Sequence, residues 1–151
     1  MQVILAKTKK DINTGLRVIK NQFLKKHGYT MKDTKEWFFN GTDHQLIVVK
    51  NSIDTVVGAL VFRYHGRWTI YISYVSSTIK KHNIAKLMLI FLESWTSFNY
   101  SSSVDIVADL RNYNYASIIL FKSLHYRISQ GNLKYEDDTM SLKVRKKVII
   151  I

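Results

Sequence analysis

Residues 75–88 carry the residue types and spacing best suited to chemistry in this chain. They run from the end of an apolar strand through a polar loop with Lys80 and Lys81 into a segment of helical spacing. A loop that leads into a helix presents unpaired backbone N–H groups and the positive end of the helix dipole, which together bind phosphate. The loop is therefore a candidate phosphate site. The alternative interpretation is an ordinary strand-to-helix connection with solvated lysines.

Hydrophobic spacing predicts the elements that precede this loop. A short strand is predicted at residues 2–6. Apolar residues then recur at three- and four-residue steps, at Ile12, Leu16, Ile19 and Phe23, which is typical of an amphipathic helix ending near residues 26–28. Residues 31–39 predict a second, shorter helix.

Runs rich in β-branched and aromatic residues predict the sheet. Three of them, at residues 45–50, 55–64 and 68–75, are separated by turn-like residues and predict an antiparallel meander. After the loop, helices are predicted at 83–98 and 114–124, and strands at 104–109, 126–130 and 139–144. Gly131 and the acidic residues 136–138 are assigned to the connection between the last two strands.

This order of elements predicts a single α+β domain over residues 1–151. A strand-helix-strand passage after a meander implies a mixed sheet with helices on its faces. The strands ending at Val75 and Asp109 would be its parallel pair. We expect six to seven strands and about four helices.

Two segments resemble the GNAT family of acyl-CoA-dependent N-acyltransferases. The family's cofactor signature, Arg/Gln-x-x-Gly-x-Gly/Ala with an earlier Val-x-Pro, aligns without a gap onto Val75, Ser77, Lys80, Asn83 and Ala85. Its later motif, Asn-x-x-Ala-x-x-Leu-Tyr-x-x-x-Gly-Phe, lies at the same spacing over Asn114, Ser117, Leu120, Phe121, His125 and Tyr126. Asn83 replaces the first glycine, and Asn tolerates left-handed backbone better than most residues. The resemblance covers residues 45–144 and implies a GNAT-like fold.

The resemblance also implies a cofactor, acetyl-CoA or another acyl-CoA, and an amine acceptor that is a small molecule or a protein. The backbone of Tyr74 and Val75 would hold the pantetheine arm, with Asn114 on its other side. The pyrophosphate would lie on Lys80, Lys81, His82, Asn83, Ile84 and Ala85. The chain would then be an N-acetyltransferase.

The family's usual thiolate proton donor is a tyrosine at the position of Phe121, and phenylalanine has no O–H to donate. Phe121 is still expected beside the cofactor. Hydroxyls nearby in the sequence are the candidate substitutes: Tyr113, Tyr115, Ser123 and Tyr126. The glutamate that often serves as base in the family is absent from residues 68–75, where Tyr71 and Ser73 stand instead. The other candidates near the expected cleft are His65, His82 and Asp109.

Two apolar segments have more than one interpretation. Trp37, Phe38 and Phe39 could form an acceptor wall or a base-stacking surface, but such a cluster is more often core. The C-terminal residues 148–151 have strand propensity and favour pairing at a sheet edge, which would allow a homodimer.

The composition excludes several classes. The 151 residues contain no cysteine, so there is no disulfide framework, no thiolate zinc site and no cysteine nucleophile, and we predict no metal. The apolar start is broken at Lys7, and no stretch of ~20 apolar residues follows. These features predict a protein without membrane segments, located in the cytoplasm.

The net charge of +12 favours anionic partners. It motivates an alternative function: a GNAT-fold protein with lost or altered acyl transfer that binds or modifies nucleic acid, or binds a host protein. Lysine contributes most of the excess, whereas base-specific contacts prefer arginine. A lysine-rich solvated surface is the plainer interpretation.

Overall fold

The structure is a computed structural model that describes residues 1–22, 28–40, 43–80 and 83–149. Its elements are β1 (Gln2–Leu5), α1 (Lys9–Gln22), α2 (Met31–Phe39), β2 (His44–Lys50), β3 (Val56–Tyr64), β4 (Thr69–Ser77), α3 (Ile84–Asn99), β5 (Val104–Arg111), α4 (Tyr115–Ser123), β6 (Arg127–Lys134) and β7 (Met140–Val148). The predicted end of the first helix, near residues 26–28, falls partly outside the described residues.

The strands form one mixed sheet in the order β1-β2-β3-β4-β5-β7-β6. The neighbours β4 and β5 are parallel, and the other pairs are antiparallel. The antiparallel meander, the parallel pair and the α+β class predicted from sequence are therefore confirmed, with seven strands and four helices in the described ranges.

The central strands β2 and β3 are buried on both faces because helices cover both sides of the sheet. One face packs Leu46 and Val48 against Leu16 and Ile19 of α1. The opposite face is larger and packs its apolar residues against α3 and α4: Ile47, Val49, Leu60 and Phe62 meet Met88, Leu92 and Phe121. Continuous apolar runs in these strands follow from this double burial.

A close approach between β3 and α3 depends on Gly58. A Cβ atom built there would lie 2.5 Å from Cγ2 of Ile84, the first residue of α3. The glycine therefore allows the start of α3 to pack directly on the sheet. This packing fixes the start of α3 relative to the sheet, and with it the position of the loop that joins β4 to α3.

The C-terminal third differs from the sequence prediction in two places. Gly131 lies inside β6 rather than in the connection after it. This strand position favours glycine because a Cβ there would meet the Ser141 Oγ of β7 at 2.0 Å. Val148 was predicted to belong to an exposed edge-pairing tail, but it is buried and pairs with Val104 in the interior of the sheet. Residues 150 and 151 lie outside the described residues, and the homodimer stays a prediction.

Candidate active site

A cavity opens where the parallel strands β4 and β5 diverge. They pair only over three positions, from Thr69 with Asp105 to Tyr71 with Val107. After Tyr71, no strand within the described residues pairs with β4 on this side, which leaves a sheet edge to which an extended chain can add as a strand. The gap is a cavity of about 240 Å³. Its lining comes from the diverging strands, α4 and one residue near the sheet edge: Ile72, Ser73, Tyr74, Val75, Ala108, Asp109, Leu110, Arg111, Asn114, Ser117, Phe121 and Tyr135.

A β-bulge shapes the β4 side of this cavity. Tyr74 pairs with Val61 and Ile72 pairs with Phe62, so Ser73 is an extra residue in β4. A bulge bends and twists its strand locally. It accounts for the separation of β4 from β5 just after their last paired residues.

The loop from β4 leads into α3 through a residue with left-handed backbone. Asn83 has φ 54° and ψ 37°, and its side chain makes no capping hydrogen bond. This is the geometry for which asparagine or glycine is suited, as the sequence indicated. The first N–H groups of α3 are thus left without a side-chain cap. Lys80 is exposed, Ala85 is half-buried, and Lys81 and His82 lie outside the described residues.

Three residues of the later motif line the cavity: Asn114, Ser117 and Phe121. Asn114 caps α4, where its Oδ1 accepts a hydrogen bond of 3.3 Å from the Ser117 N–H. Phe121 is buried and packs edge-on against Tyr126, with ring centroids 4.9 Å apart. The capping bond uses the Asn114 amide oxygen, and the residue also lines the cavity.

A second cavity of about 380 Å³ adjoins the first. Four residues line both cavities: Ser73, Tyr74, Asp109 and Tyr135. The remaining lining comes from α2 and from β2, β3, β4 and β6: Trp37, His44, Arg63, Tyr71 and Leu133. The junction between the cavities is therefore the place where groups bound in each would meet.

Asp109 provides the carboxylate at this junction. Its Oδ2 accepts a hydrogen bond of 2.9 Å from the Tyr71 hydroxyl. Burial and this hydrogen bond both raise the pKa of Tyr71, so the tyrosine stays protonated and donates. Oδ1 of Asp109 has no hydrogen-bond partner among the described residues and can accept a proton or a hydrogen bond.

Tyr135 provides a hydroxyl at the same junction. Burial, with a smaller contribution from Asp109, raises its pKa. The Arg111 guanidinium stacks on its ring, with Cζ 4.1 Å from the centroid. Sequence reasoning missed Tyr135 because it stands in a short connection between edge strands, where no motif or periodicity marks it.

The predicted donors do not line either cavity. Tyr126 is buried behind Phe121, and its hydroxyl has no hydrogen-bond partner among the described residues. Tyr115 is 70% exposed, and the Ser123 hydroxyl donates to the carbonyl of Leu120 on the same helix. None of the three lines either cavity, whereas Tyr135 lines both, and the role of the three as donors stays a prediction. Tyr113, considered with them, accepts a hydrogen bond from Arg111.

The other candidates are separated by the fold. His65 is exposed and lines neither cavity. Phe38 is core, Phe39 is exposed, and Trp37 alone of the three lines the second cavity. His44 also lines it, and burial lowers the pKa of its imidazole. The aromatic cluster is thus divided between the core and the wall of a cavity.

Comparison with known proteins shows the fold. An aminoglycoside 6'-acetyltransferase type Ii is similar with a TM-score of 0.78 at 14% identity, covering 100% of this chain and 99% of that one. An aminoglycoside 6'-N-acetyltransferase complexed with coenzyme A has a TM-score of 0.74 at 12% identity, covering 100% and 99%. A ribosomal-protein-alanine N-acetyltransferase from Brucella melitensis has a TM-score of 0.74 at 16% identity, covering 97% and 99%.

No family model matches the chain, and no curated protein matches it significantly. The similarity to solved structures shows that the chain has the fold of GNAT-type N-acetyltransferases. The resemblance predicted from sequence is confirmed at the level of the fold.

The described residues contain no cluster of three or more histidine and carboxylate side chains placed to hold a metal ion. Across the same ranges, none of the helices has both the length and the apolar composition needed to cross a membrane.

Proposed function

We propose that the chain is an N-acetyltransferase that moves an acetyl group from acetyl-CoA to the amine of a small molecule or protein. The observation that carries the proposal is the divergence of β4 and β5 into a cavity that meets a second cavity at Asp109 and Tyr135. One cavity suits an extended arm that adds to β4 as a strand, and the other suits the acceptor. Fold similarity supports the same reaction class.

The residues at the first cavity fit coenzyme A. The pantetheine arm would lie along β4 from Ile72 to Val75, on the side opposite to β3, and the Asn114 amide would contact the arm from α4. The uncapped N–H groups at the start of α3, with Lys80 beside them, would hold the pyrophosphate. When bound, acetyl-CoA supplies the thioester that an amine can attack.

Asp109 is the group placed to take the amine's proton. An ammonium ion is not nucleophilic, so one proton must leave before nitrogen attacks the carbonyl carbon. The Tyr71 hydroxyl donates to Oδ2, and Oδ1 would take this first proton. The C–N bond then forms as the C–S bond breaks. The nitrogen loses its second proton and the departing sulfur gains one, so these two transfers balance.

Tyr135 is the hydroxyl placed to protonate the departing sulfur. Its raised pKa keeps the O–H intact at neutral pH, which is the state that donates. It would fill the role that the family's tyrosine has at the position of Phe121. The fold thus supplies the hydroxyl from the β6–β7 connection instead of from α4.

Isothermal titration of the purified protein with acetyl-CoA tests the proposal. We expect saturable one-to-one binding, weakened at least about tenfold in a Lys80→Glu, Asn83→Glu double variant, because two carboxylates would face the pyrophosphate. Lys122→Glu on the exposed surface of α4 is the matched control. Absence of binding by a folded sample contradicts the proposal.

A basic surface supports a second candidate function, nucleic-acid binding. Arg127 on β6 lies directly opposite Arg145 on β7, and both are exposed. Like charges in a cross-strand pair are unfavourable, and Asp105, whose Oδ2 lies 3.2 Å from Arg145 Nη1, pairs with only one of the two. Binding of duplex DNA that weakens steeply with salt in wild type and less in Arg127→Gln would support this function. No DNA binding at low salt would exclude it.

A further inference from the structure

The second cavity carries one guanidinium and one carboxylate on opposite parts of the same tyrosine. Arg63 stacks on the Tyr71 ring, with Cζ 4.7 Å from its centroid. Asp109 accepts from the Tyr71 hydroxyl at 2.9 Å. Tyr71 therefore contacts both charged groups, one through its ring and the other through its hydroxyl.

The sheet fixes this arrangement. Arg63 of β3 is the direct cross-strand partner of Tyr71 of β4. Tyr71 pairs with Val107 of β5, and Asp109 stands two residues further along on the same face. The separation of the charges is therefore set by strand register, and not by a mobile loop.

Neither charge is neutralised within the part of the chain that the structure describes. No ion pair there includes Arg63 or Asp109. Besides its stacking on Tyr71, the Arg63 guanidinium makes one hydrogen bond within the described residues, with the imidazole of His65 at 3.2 Å. Both groups thus remain available to charges on a bound molecule.

The rest of the described lining adds no further ionised group at neutral pH. Burial lowers the pKa of His44, so its imidazole is uncharged. Trp37, Tyr74 and Tyr135 supply aromatic walls. The cavity therefore offers one positive group and one negative group, with aromatic side chains in its lining.

We propose that the acceptor of this site is a zwitterion, with its amine directed to Asp109 and a carboxylate bound by Arg63. The inference rests on the proposed acetyltransferase function and narrows its substrate to free amino acids and short peptides with both termini charged. An acceptor with several ammonium groups would find a single carboxylate here, on a chain whose net charge is +12.

The test is a titration of the coenzyme-A-saturated protein with glycyl-phenylalanine and with its C-terminal amide, which lacks the carboxylate charge. Binding of coenzyme A is measured first, so that failure of the cofactor site is seen separately. We expect wild type to bind the free acid at least about tenfold more tightly than the amide, and more tightly than kanamycin, a polycationic aminosugar. The kcat/KM for acetyl transfer should likewise be higher for the free acid than for the amide.

Three variants of the β3–β4 hairpin make the assignment specific. Arg63→Gln should bring the acid-to-amide ratio close to one. Arg63→Lys should keep part of it, because an ammonium retains the charge without the two-pronged geometry. Arg67→Gln removes the same charge from an exposed guanidinium that stacks on Trp68 outside the cavity, and should leave the ratio unchanged.

The outcomes separate the two proposals. If the protein binds coenzyme A but binds the acid and the amide with equal affinity, or binds neither, the zwitterion proposal is overturned. The acetyltransferase proposal then still stands. A preference that persists in Arg63→Gln overturns the role of Arg63. Failure to bind coenzyme A overturns the proposed function and the inference that rests on it.

Discussion

Asp109 lies at the junction of the two cavities with one carboxylate oxygen held by Tyr71 and the other free among the described residues. Asp109→Asn keeps the shape and the hydrogen bond but cannot take a proton. We expect kcat for acetyl transfer to fall about 100-fold or more, within the usual contribution of a general base. The dissociation constant for acetyl-CoA should hardly change.

Asp105→Asn is the control for this substitution because Asp105 lies on the same strand and pairs with Arg145 away from both cavities. Its kcat should equal that of wild type. An Asp109→Asn protein with unchanged kcat would remove Asp109 from the proton transfer.

Tyr135 reaches the same junction from the β6–β7 connection. Replacing it with phenylalanine removes the proposed proton donor for the departing sulfur and leaves the aromatic ring that stacks with Arg111. We expect kcat to fall about tenfold to 100-fold. Stopped-flow release of coenzyme A measures it, and Tyr113→Phe, outside both cavities, should match wild type. Equal rates in the two variants would contradict this role.

His125 occupies a backbone conformation that favours glycine. Its φ is 68°, just after α4, at the position where the GNAT motif has glycine. Left-handed geometry costs a residue with a Cβ roughly 1–2 kcal/mol. Replacing the residue with glycine removes this cost, but part of the gain in stability is lost because glycine has greater conformational freedom in the unfolded chain. We expect His125→Gly to raise the free energy of unfolding by about 1 kcal/mol in urea. His125→Ala should give no such gain, and equal stability of both variants would exclude backbone strain there.

The residues of the two motifs could be recognised in the sequence, but the contacts that their side chains make could not be predicted from it. Asn83 has left-handed backbone, a geometry that asparagine was noted from the sequence to tolerate better than most residues. The role of Tyr71 and the position of Tyr135 depend on how three separate strands meet. Spacing along one segment carries no information on that meeting, and for the same reason it did not show that Tyr126 packs against Phe121 outside both cavities.

At the scale of elements, the contact between Gly58 and α3 sets the position of the loop before α3. In Gly58→Ala, the new Cβ would crowd Cγ2 of Ile84 at 2.5 Å. We expect a loss of about 1–3 kcal/mol in the free energy of unfolding, with weaker acetyl-CoA binding as α3 shifts outward.

A double-mutant cycle with Ile84→Ala checks the cause. Removing Cγ2 should make Gly58→Ala cost less than it does in wild type, since the clash is then relieved. Costs that simply add would show that the glycine acts through backbone freedom and not through this contact.

The order of elements was well predicted because each has a strong local signal. The runs in β2, β3 and β4 are rich in β-branched residues, and α3 has a regular apolar stripe. The extents of β6 and β7 were underestimated because both strands are mostly polar, and β6 is also mostly exposed, so the alternation of apolar and polar residues is weak. The divergence of β4 from β5 arises from a bulge at Ser73, and the residue pattern of β4 does not predict this bulge.

At the scale of the whole molecule, His44 links pH to stability. Its Nδ1 donates to the Phe38 carbonyl, and burial lowers the pKa of the imidazole from 6.5. Below that pH the unfolded chain binds the proton more strongly than the folded protein does, so the free energy of unfolding falls as pH falls. We expect a loss of stability between pH 7 and pH 5 in urea titrations.

His44→Gln should flatten this pH dependence, because the glutamine amide does not titrate. His65→Gln changes an exposed histidine and should keep the wild-type slope. If both variants keep the slope, the pH dependence arises from groups other than His44.

The central claim is that an acyl-CoA lies between β4 and β5 with its pyrophosphate at the start of α3. Mapping backbone amide shifts in ¹⁵N-labelled protein during titration with acetyl-CoA tests it most directly. We predict that the largest shifts fall on residues 72–75, 83–85 and 108–111, while β1 and the exposed face of β6 hardly move. Saturating acetyl-CoA that shifts none of these amides, or shifts mainly those around Arg127 and Arg145, would contradict the claim.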